Sequence, residues 1–248
     1  MNRGLLCVAF LLTTLVCSAQ YSEKIGSLRP GRSFGSKTVG KEIFQIQAGI
    51  AFGENGPTNN ISNLIALRYG LIERLELRSA FLIRRDKFNS EVTSGLGNWI
   101  VGVRYNLING SGYQPSFGIQ LDTRLTTITS EYQPDNLGPR ALLLFNQKLS
   151  EAVGLASNFG VSWDGNNNGA MGEYTLKLDF KISDNVVGFG EVFGNFADGN
   201  LRAFFDTGIG YFVNNNLKLD FSVGYGKNNS TTTWFADGGV SVRFGRRG

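Results

Sequence analysis

The stretch Leu217-Lys218-Leu219-Asp220-Phe221-Ser222-Val223-Gly224-Tyr225 decides the fold. Leu, Phe, Val and Tyr hold every odd position while Lys, Asp, Ser and Gly hold every even one. In an extended strand successive side chains point to opposite faces, so this segment has one apolar face and one polar face. The same period of two continues outward in both directions. It recurs in Phe44, Ile46, Ala48, Ile50, Phe52, in Trp99, Val101, Val103, Tyr105, in Tyr174, Leu176, Leu178, Phe180 and, last, in Val240, Val242, Phe244. Clusters of Asn, Gly, Ser and Asp separate the segments, which is hairpin chemistry. Twelve strands are expected from Ile43 onward.

Charge is confined to the face opposite the apolar one. On it lie Arg68, Glu76, Arg78, Arg84, Arg104, Asp122, Arg124, Lys148, Glu173, Lys177, Asp179 and Lys181. Glu191, Arg202, Asp206, Lys218, Asp220, Asp237 and Arg243 continue the set. A soluble barrel would turn this face to water, and periodicity alone allows that inversion. Three features favour apolar-out in lipid. The alternation holds for about ten residues per segment, enough to cross a bilayer when tilted. Aromatics such as Trp99, Tyr105, Trp163, Tyr211 and Phe244 sit near segment ends, as interfacial girdles do. The apolar faces of eleven segments carry no charge, the result expected if a midplane Arg or Lys costs ~2–4 kcal/mol. The ninth segment, Val187 to Gly194, is ambiguous. Glu191 points it into the lumen, which leaves either a Gly-rich lipid face or a bulge, and the register stays open.

The expected architecture is therefore an all-β, transmembrane, antiparallel up-and-down barrel of about twelve strands, spanning residues 42–248. Short connections at Ile72 to Arg74, Leu149 to Ala152, Ser183 to Asn185 and Asn214 to Asn216 alternate with longer ones at Gly53 to Asn60, Arg85 to Gly97 and Thr127 to Gly138. With short turns and both termini on the periplasmic side, the longer connections are expected as external loops.

Ahead of the barrel, residues 1–19 read as a signal peptide: Arg3, an apolar run Leu5 to Val16, and Cys17-Ser18-Ala19 before Gln20. Both cysteines, Cys7 and Cys17, lie inside it, so no disulfide framework is expected in the mature chain. Residues 20–41 form an irregular, basic, Gly-rich segment. Its cations Arg29, Arg32, Lys37 and Lys41 suggest a plug in or under the lumen.

Composition narrows the chemistry. The 248 residues include no His, 33 Gly and 19 Phe, only 18% are charged, and the net charge is +4. A His-activated Ser or Cys nucleophile and a His-ligated metal are excluded. Gly31-Arg32-Ser33-Phe34-Gly35 has the spacing of a nucleophile elbow, without a His to activate Ser33 or a preceding strand. The glycines at 188, 190 and 194 lack the helix of a dinucleotide site. Asp164 to Gly169 matches the first half of a calcium loop, but its twelfth position is Thr175 rather than Glu. No catalytic residue, metal or cofactor is expected.

Arg29-Pro30-Gly31-Arg32-Ser33, then Thr38-Val39-Gly40-Lys41 and Phe44-Gln45-Ile46-Gln47-Ala48-Gly49, resembles the opening of the MetA-pathway phenol-degradation family of outer-membrane barrels. Tyr69-Gly70-Leu71-Ile72-Glu73-Arg74-Leu75-Glu76-Leu77-Arg78 is similar to their second hairpin, in the style of members from Bacteroidetes-type bacteria. The resemblance implies a transporter and defines no catalytic residues. The expectation is an outer-membrane channel of a Gram-negative cell for small solutes, hydrophobic or aromatic compounds among them. The inward charges would line its path. The alternative is a closed structural or surface-interaction barrel. Expected partners are outer-membrane lipid, a small-molecule solute and, during biogenesis, the barrel-assembly machinery; no nucleic acid is expected.

Overall fold

The computed structural model describes residues 22–166, 169–197, 199–228 and 231–245. The signal peptide expected at residues 1–19 lies outside them. Twelve antiparallel strands follow one another around a closed barrel. They are β1 (Phe44–Asn55), β2 (Thr58–Ile72), β3 (Leu75–Phe88), β4 (Glu91–Ile108), β5 (Ser116–Arg124) and β6 (Gly138–Lys148), then β7 (Val153–Ser162), β8 (Met171–Lys181), β9 (Val186–Ala197), β10 (Asn200–Asn214), β11 (Leu217–Asn228) and β12 (Thr231–Phe244). A single turn of 3-10 helix, Ser130–Tyr132, lies between β5 and β6. β12 closes on β1 with Phe244 opposite Phe44, and the two rings stack at 6.4 Å. Closure leaves no sheet edge, which a lipid environment requires.

Burial is inverted relative to a soluble protein. Leu143, Phe159 and Leu201 are 62%, 57% and 67% exposed, whereas Glu76, Arg104 and Gln120 are fully buried. The apolar positions of the period-two pattern form the outer belt and the charged positions face inward. This is the burial pattern of a barrel whose outer face meets lipid.

Two of the expected external loops are strand instead. The ladder continues through Gly53 to Asn60, with Asn55 opposite Thr58, and through Arg85 to Gly97, with Phe88 opposite Glu91. Above the lipid belt the outer face no longer has to be apolar, so Asn59, Arg85 and Lys87 dilute the alternation without ending the pairing. A register shift between Leu82 and Ile83 against β4 also breaks the pattern there. Thr127 to Gly138 is a true connection.

β9 runs in register with both neighbours, without a bulge. Glu191 is 1% exposed, and the lipid face of this strand is the Gly-rich one. Neighbouring side chains cover it: Ile182 lies against Gly188 and Phe205 against Gly190.

Candidate functional site: the occupied lumen

Residues 22–43 thread the inside of the barrel. The segment enters at the β10–β11 turn, where the Ile25 N–H donates to Asn215 O at 2.8 Å. It leaves beside β2, where the Glu42 N–H donates to Gly70 O at 2.8 Å and the Gly70 N–H to Ile43 O at 2.9 Å. Having no strand partner in between, its main chain needs other acceptors and donors. Inward side chains of the wall supply them. Glu191 accepts the N–H groups of Arg32 and Ser33 at 2.5 and 2.6 Å. Asn158 accepts from Phe34 N at 2.6 Å and donates to Phe34 O at 2.9 Å. Asn146 accepts from Ser36 N at 2.5 Å, Asn106 donates to Ser36 O at 3.1 Å, and Glu76 accepts from Val39 N at 3.0 Å. Gly31 adopts φ +95°, which lets consecutive N–H groups converge on Glu191 as in an anion-binding nest. The serine of the apparent nucleophile elbow, Ser33, donates to Thr175 Oγ1 at 2.7 Å.

The four basic residues expected to form the plug divide by position. Arg29 is buried against β11 and β12, donating to Asp220 at 3.0 Å and to Asp237, while Lys218 donates to its carbonyl at 2.9 Å. Its guanidinium passes over Gly49 and Gly239, where any Cβ would collide with it. Although burial opposes its charge, the hydrogen bonds from its guanidinium to Asp237 and Asp220 and their negative charges hold the Arg29 pKa above the ordinary arginine value. Arg32 is exposed to the lumen. Lys37 is exposed and lines a cavity of about 140 Å³ with Gln45 and Arg243, near the strand ends that carry the termini. Lys41 sits at the rim, paired with Glu42 at 3.4 Å, so it lies under the lumen rather than in it.

The wall charges form two groups. One runs from β2 to β8. Arg68 holds Glu76 through two 2.7 Å hydrogen bonds, and Arg104 lies 3.9 Å from the same carboxylate. Arg104 donates to Gln120, Gln120 to Asp122, and Asp122 also receives Arg140 at 2.6 Å and pairs with Arg78 at 3.4 Å. Arg140 continues to Glu173 at 3.6 Å. The Phe34 ring sits among three guanidinium groups, 4.7, 5.4 and 5.7 Å from Arg78, Arg140 and Arg104. The second group is Arg29, Lys218, Asp220 and Asp237, and Glu191 and Asp206 form a cross-strand pair on β9 and β10. Lys177 pairs with Asp179 at 3.2 Å and lies over Phe189.

Two of the expected lining residues also hold connecting segments in place. Arg124 is at the outer rim, where it donates to Tyr132 O at 2.6 Å and to Gly97 O at 3.4 Å, tying down the β5–β6 connection. Arg243 is at the other end, where it donates to Ser22 O and Glu23 O at 2.8 Å and holds the entry of the segment. Arg202 and Asp206 face the lumen from β10.

On the outer side of the segment is a cavity of about 390 Å³, floored by Pro30, Arg32 and Phe34. One arc of its wall is aromatic: Phe193 and Phe204 stack at 5.4 Å, and Phe235 lies 6.4 Å from Phe193. The opposite arc is aliphatic, made by Leu64, Ala80, Ile100 and Leu142. Sequence reasoning missed all of these, along with Arg140 and the four amide side chains that hold or flank the segment, Asn106, Gln120, Asn146 and Asn158. Period two assigns apolar residues to lipid, and uncharged amides give no charge signal. The run Phe193, Phe204, Phe235 of aromatics on inward positions, next to outward Val192 and Phe205, was the available clue.

The family model described as "Putative MetA-pathway of phenol degradation" matches residues 27–244. Among solved structures, the COG4313 outer membrane channel from Pseudomonas putida F1 is similar with a TM-score of 0.65 at 12% identity, over 88% of this chain and all of that one. The NanC porin gives 0.58 at 7% identity, over 79% and 98%. A KdgM porin in complex with disordered oligogalacturonate gives 0.57 at 13% identity, over 80% and 99%. No curated protein sequence matches the chain. At these identities the likeness establishes the barrel.

Proposed function

Because the chain belongs to the family described as "Putative MetA-pathway of phenol degradation", we propose that it is an outer-membrane channel for small, largely apolar solutes, with residues 22–43 as its plug. The observation that carries this reading is the division of the lumen. The outer cavity and the smaller inner one share only Leu28 in their linings, and the segment lies between them. A lumen with an apolar patch in an otherwise charged wall suits solutes that porins of uniformly polar bore pass poorly. Channel and porin neighbours agree with this reading, and a chain without His lacks the commonest general base near neutral pH.

The test is single-channel conductance of the mature chain and of a variant lacking residues 21–41, with uptake of small aromatic solutes into liposomes measured in parallel. Removal of the plug is expected to raise conductance. Equal conductance before and after deletion overturns the plug. The closed structural barrel is favoured by the continuous Arg68–Glu76–Arg104–Gln120–Asp122–Arg140 network, which fills much of one side. That reading requires that neither protein conducts or admits solute.

A further inference from the structure

We propose that the outer cavity is a binding site for an aromatic carboxylate, its ring held between the Phe193–Phe204–Phe235 arc and the aliphatic arc and its carboxylate on the guanidinium of Arg32. The proposal deepens the channel reading and rests on it for physiological meaning. Four arginines line this cavity: Arg29, Arg32, Arg78 and Arg140. Three have carboxylate partners, Arg29 with Asp220 and Asp237, Arg78 with Asp122, and Arg140 with Asp122 and Glu173. Among the described residues Arg32 has no carboxylate at ion-pair distance; the acid its charge acts on at longer range is the buried Asp206. The Arg32 guanidinium instead lies 4.9 Å from the Phe235 centroid and 5.7 Å from that of Phe193.

Arg32 is exposed to the lumen, which leaves its guanidinium within reach of a solute. A guanidinium stacked flat on a ring face keeps its coplanar N–H donors for a planar anion. Arg32 is also fixed from below, because its own N–H and that of Ser33 are taken by Glu191 at 2.5 and 2.6 Å. The acids of the cavity offer little competition: Asp237 and Glu173 are paired with Arg29 and Arg140, and Asp206 is 1% exposed.

The apolar part of the site sets the rest of the ligand. Phe193 and Phe204 are nearly parallel at 15°, presenting flat aromatic surface, which favours an offset-stacked ring. The floor formed by Phe34 among its three arginines blocks a long alkyl chain from running on through the lumen. A ring bearing one carboxylate matches a cation at the floor, an aromatic wall and a cavity of about 390 Å³. A neutral ring leaves the Arg32 donors to water, and a carboxylate without a ring leaves the aromatic arc unused.

The experiment is isothermal titration of the detergent-solubilised full mature chain with benzoate, benzyl alcohol and acetate, alongside planar-bilayer recordings. Benzoate is expected to bind at least about tenfold more tightly than either of the others, the scale of one charge-assisted contact. Arg32→Gln should lose about that factor for benzoate and leave benzyl alcohol unchanged. Phe193→Leu should weaken both ring compounds and leave acetate as it was. Arg32→Lys keeps the charge and should retain part of the benzoate preference, which guards against a folding defect in the Gln variant. Benzyl alcohol binding as tightly as benzoate, or benzoate insensitive to Arg32→Gln, overturns the site even if the protein conducts. Benzoate binding with this profile in a protein that never conducts, with or without its plug, overturns the channel reading and leaves the site standing.

Discussion

Gly49 and Gly239 are direct cross-strand partners at the β1–β12 seam, and together they make the slot in which the Arg29 guanidinium lies. The seam that closes the barrel is also where the inner segment is most firmly charged to the wall. Two strands, a pair of missing side chains and two carboxylates, Asp220 and Asp237, converge on one cation.

Filling the slot should expel its occupant. Gly49→Val places atoms where the Arg29 guanidinium now is, and the atoms nearest its Cβ are all of that guanidinium; overpacking of this kind costs about 1–3 kcal/mol. The outward face and the ladder are untouched, so the barrel should still fold, shown by unchanged heat-modifiable migration in SDS gels. Conductance should rise toward that of the variant lacking residues 21–41.

Removing the cation tests the same contact from the other side. Arg29→Ala leaves Asp220 and Asp237 facing each other with only Lys218 nearby. Breaking a buried pair by deleting one partner costs about 3–5 kcal/mol, read as a lower urea midpoint for unfolding in detergent. Asp220→Asn combined with Arg29→Ala should recover part of that loss.

Phe34 separates three like charges. In Phe34→Ala the Arg78, Arg104 and Arg140 guanidinium groups lose the ring that all three contact, at about 0.5–2 kcal/mol for each contact. Opening the floor beside them should shift the reversal potential in a KCl gradient toward chloride. An unchanged reversal potential would mean that current takes another route.

The β5–β6 connection has its own clasp. The Tyr132 hydroxyl shares its single proton between Asp86 at 3.0 Å and the Thr93 carbonyl at 3.2 Å. Desolvation and the donation to Asp86 raise its pKa above the ordinary phenol value. A raised pKa means the clasp is intact below the usual tyrosine range and is lost as pH climbs through the folded value. Tyr132→Phe should behave at neutral pH as the native protein does in strong alkali. Cleavage after Glu131 by a glutamate-specific protease should be several-fold faster in the variant.

The barrel was legible because lipid enforces a strict rule on one face. Leu217 to Tyr225 reads as a membrane strand with no knowledge of its neighbours, since a single misplaced charge would be costly. That rule ceases above the belt, and there Asn59, Arg85 and Lys87 look like loop residues while remaining paired. It also says nothing of the inner face. Inward Arg68, Glu76 and Asp220 were recognisable by charge. Inward Phe193, Phe204 and Leu142 were not, because an apolar residue on a lumen position has the same letter as one facing lipid. The basic segment at Arg29 to Lys41 was recognisable as something apart from the barrel. Its receptors Asn106, Asn146 and Asn158 became visible only once long-range geometry brought them to its main chain.

Most of those receptors grip main-chain atoms. Asn158 takes both the N–H and the carbonyl of Phe34, Glu191 two successive N–H groups, Asn146 and Asn106 the N–H and carbonyl of Ser36, and Glu76 the N–H of Val39. Every residue but proline offers the same two groups. Mutational tolerance must then be lopsided: the receptacle is constrained residue by residue, while much of the insert is constrained only in its path. A lineage could rewrite the letters of the insert, and with them the chemistry shown to an incoming solute, without rebuilding the wall that holds it.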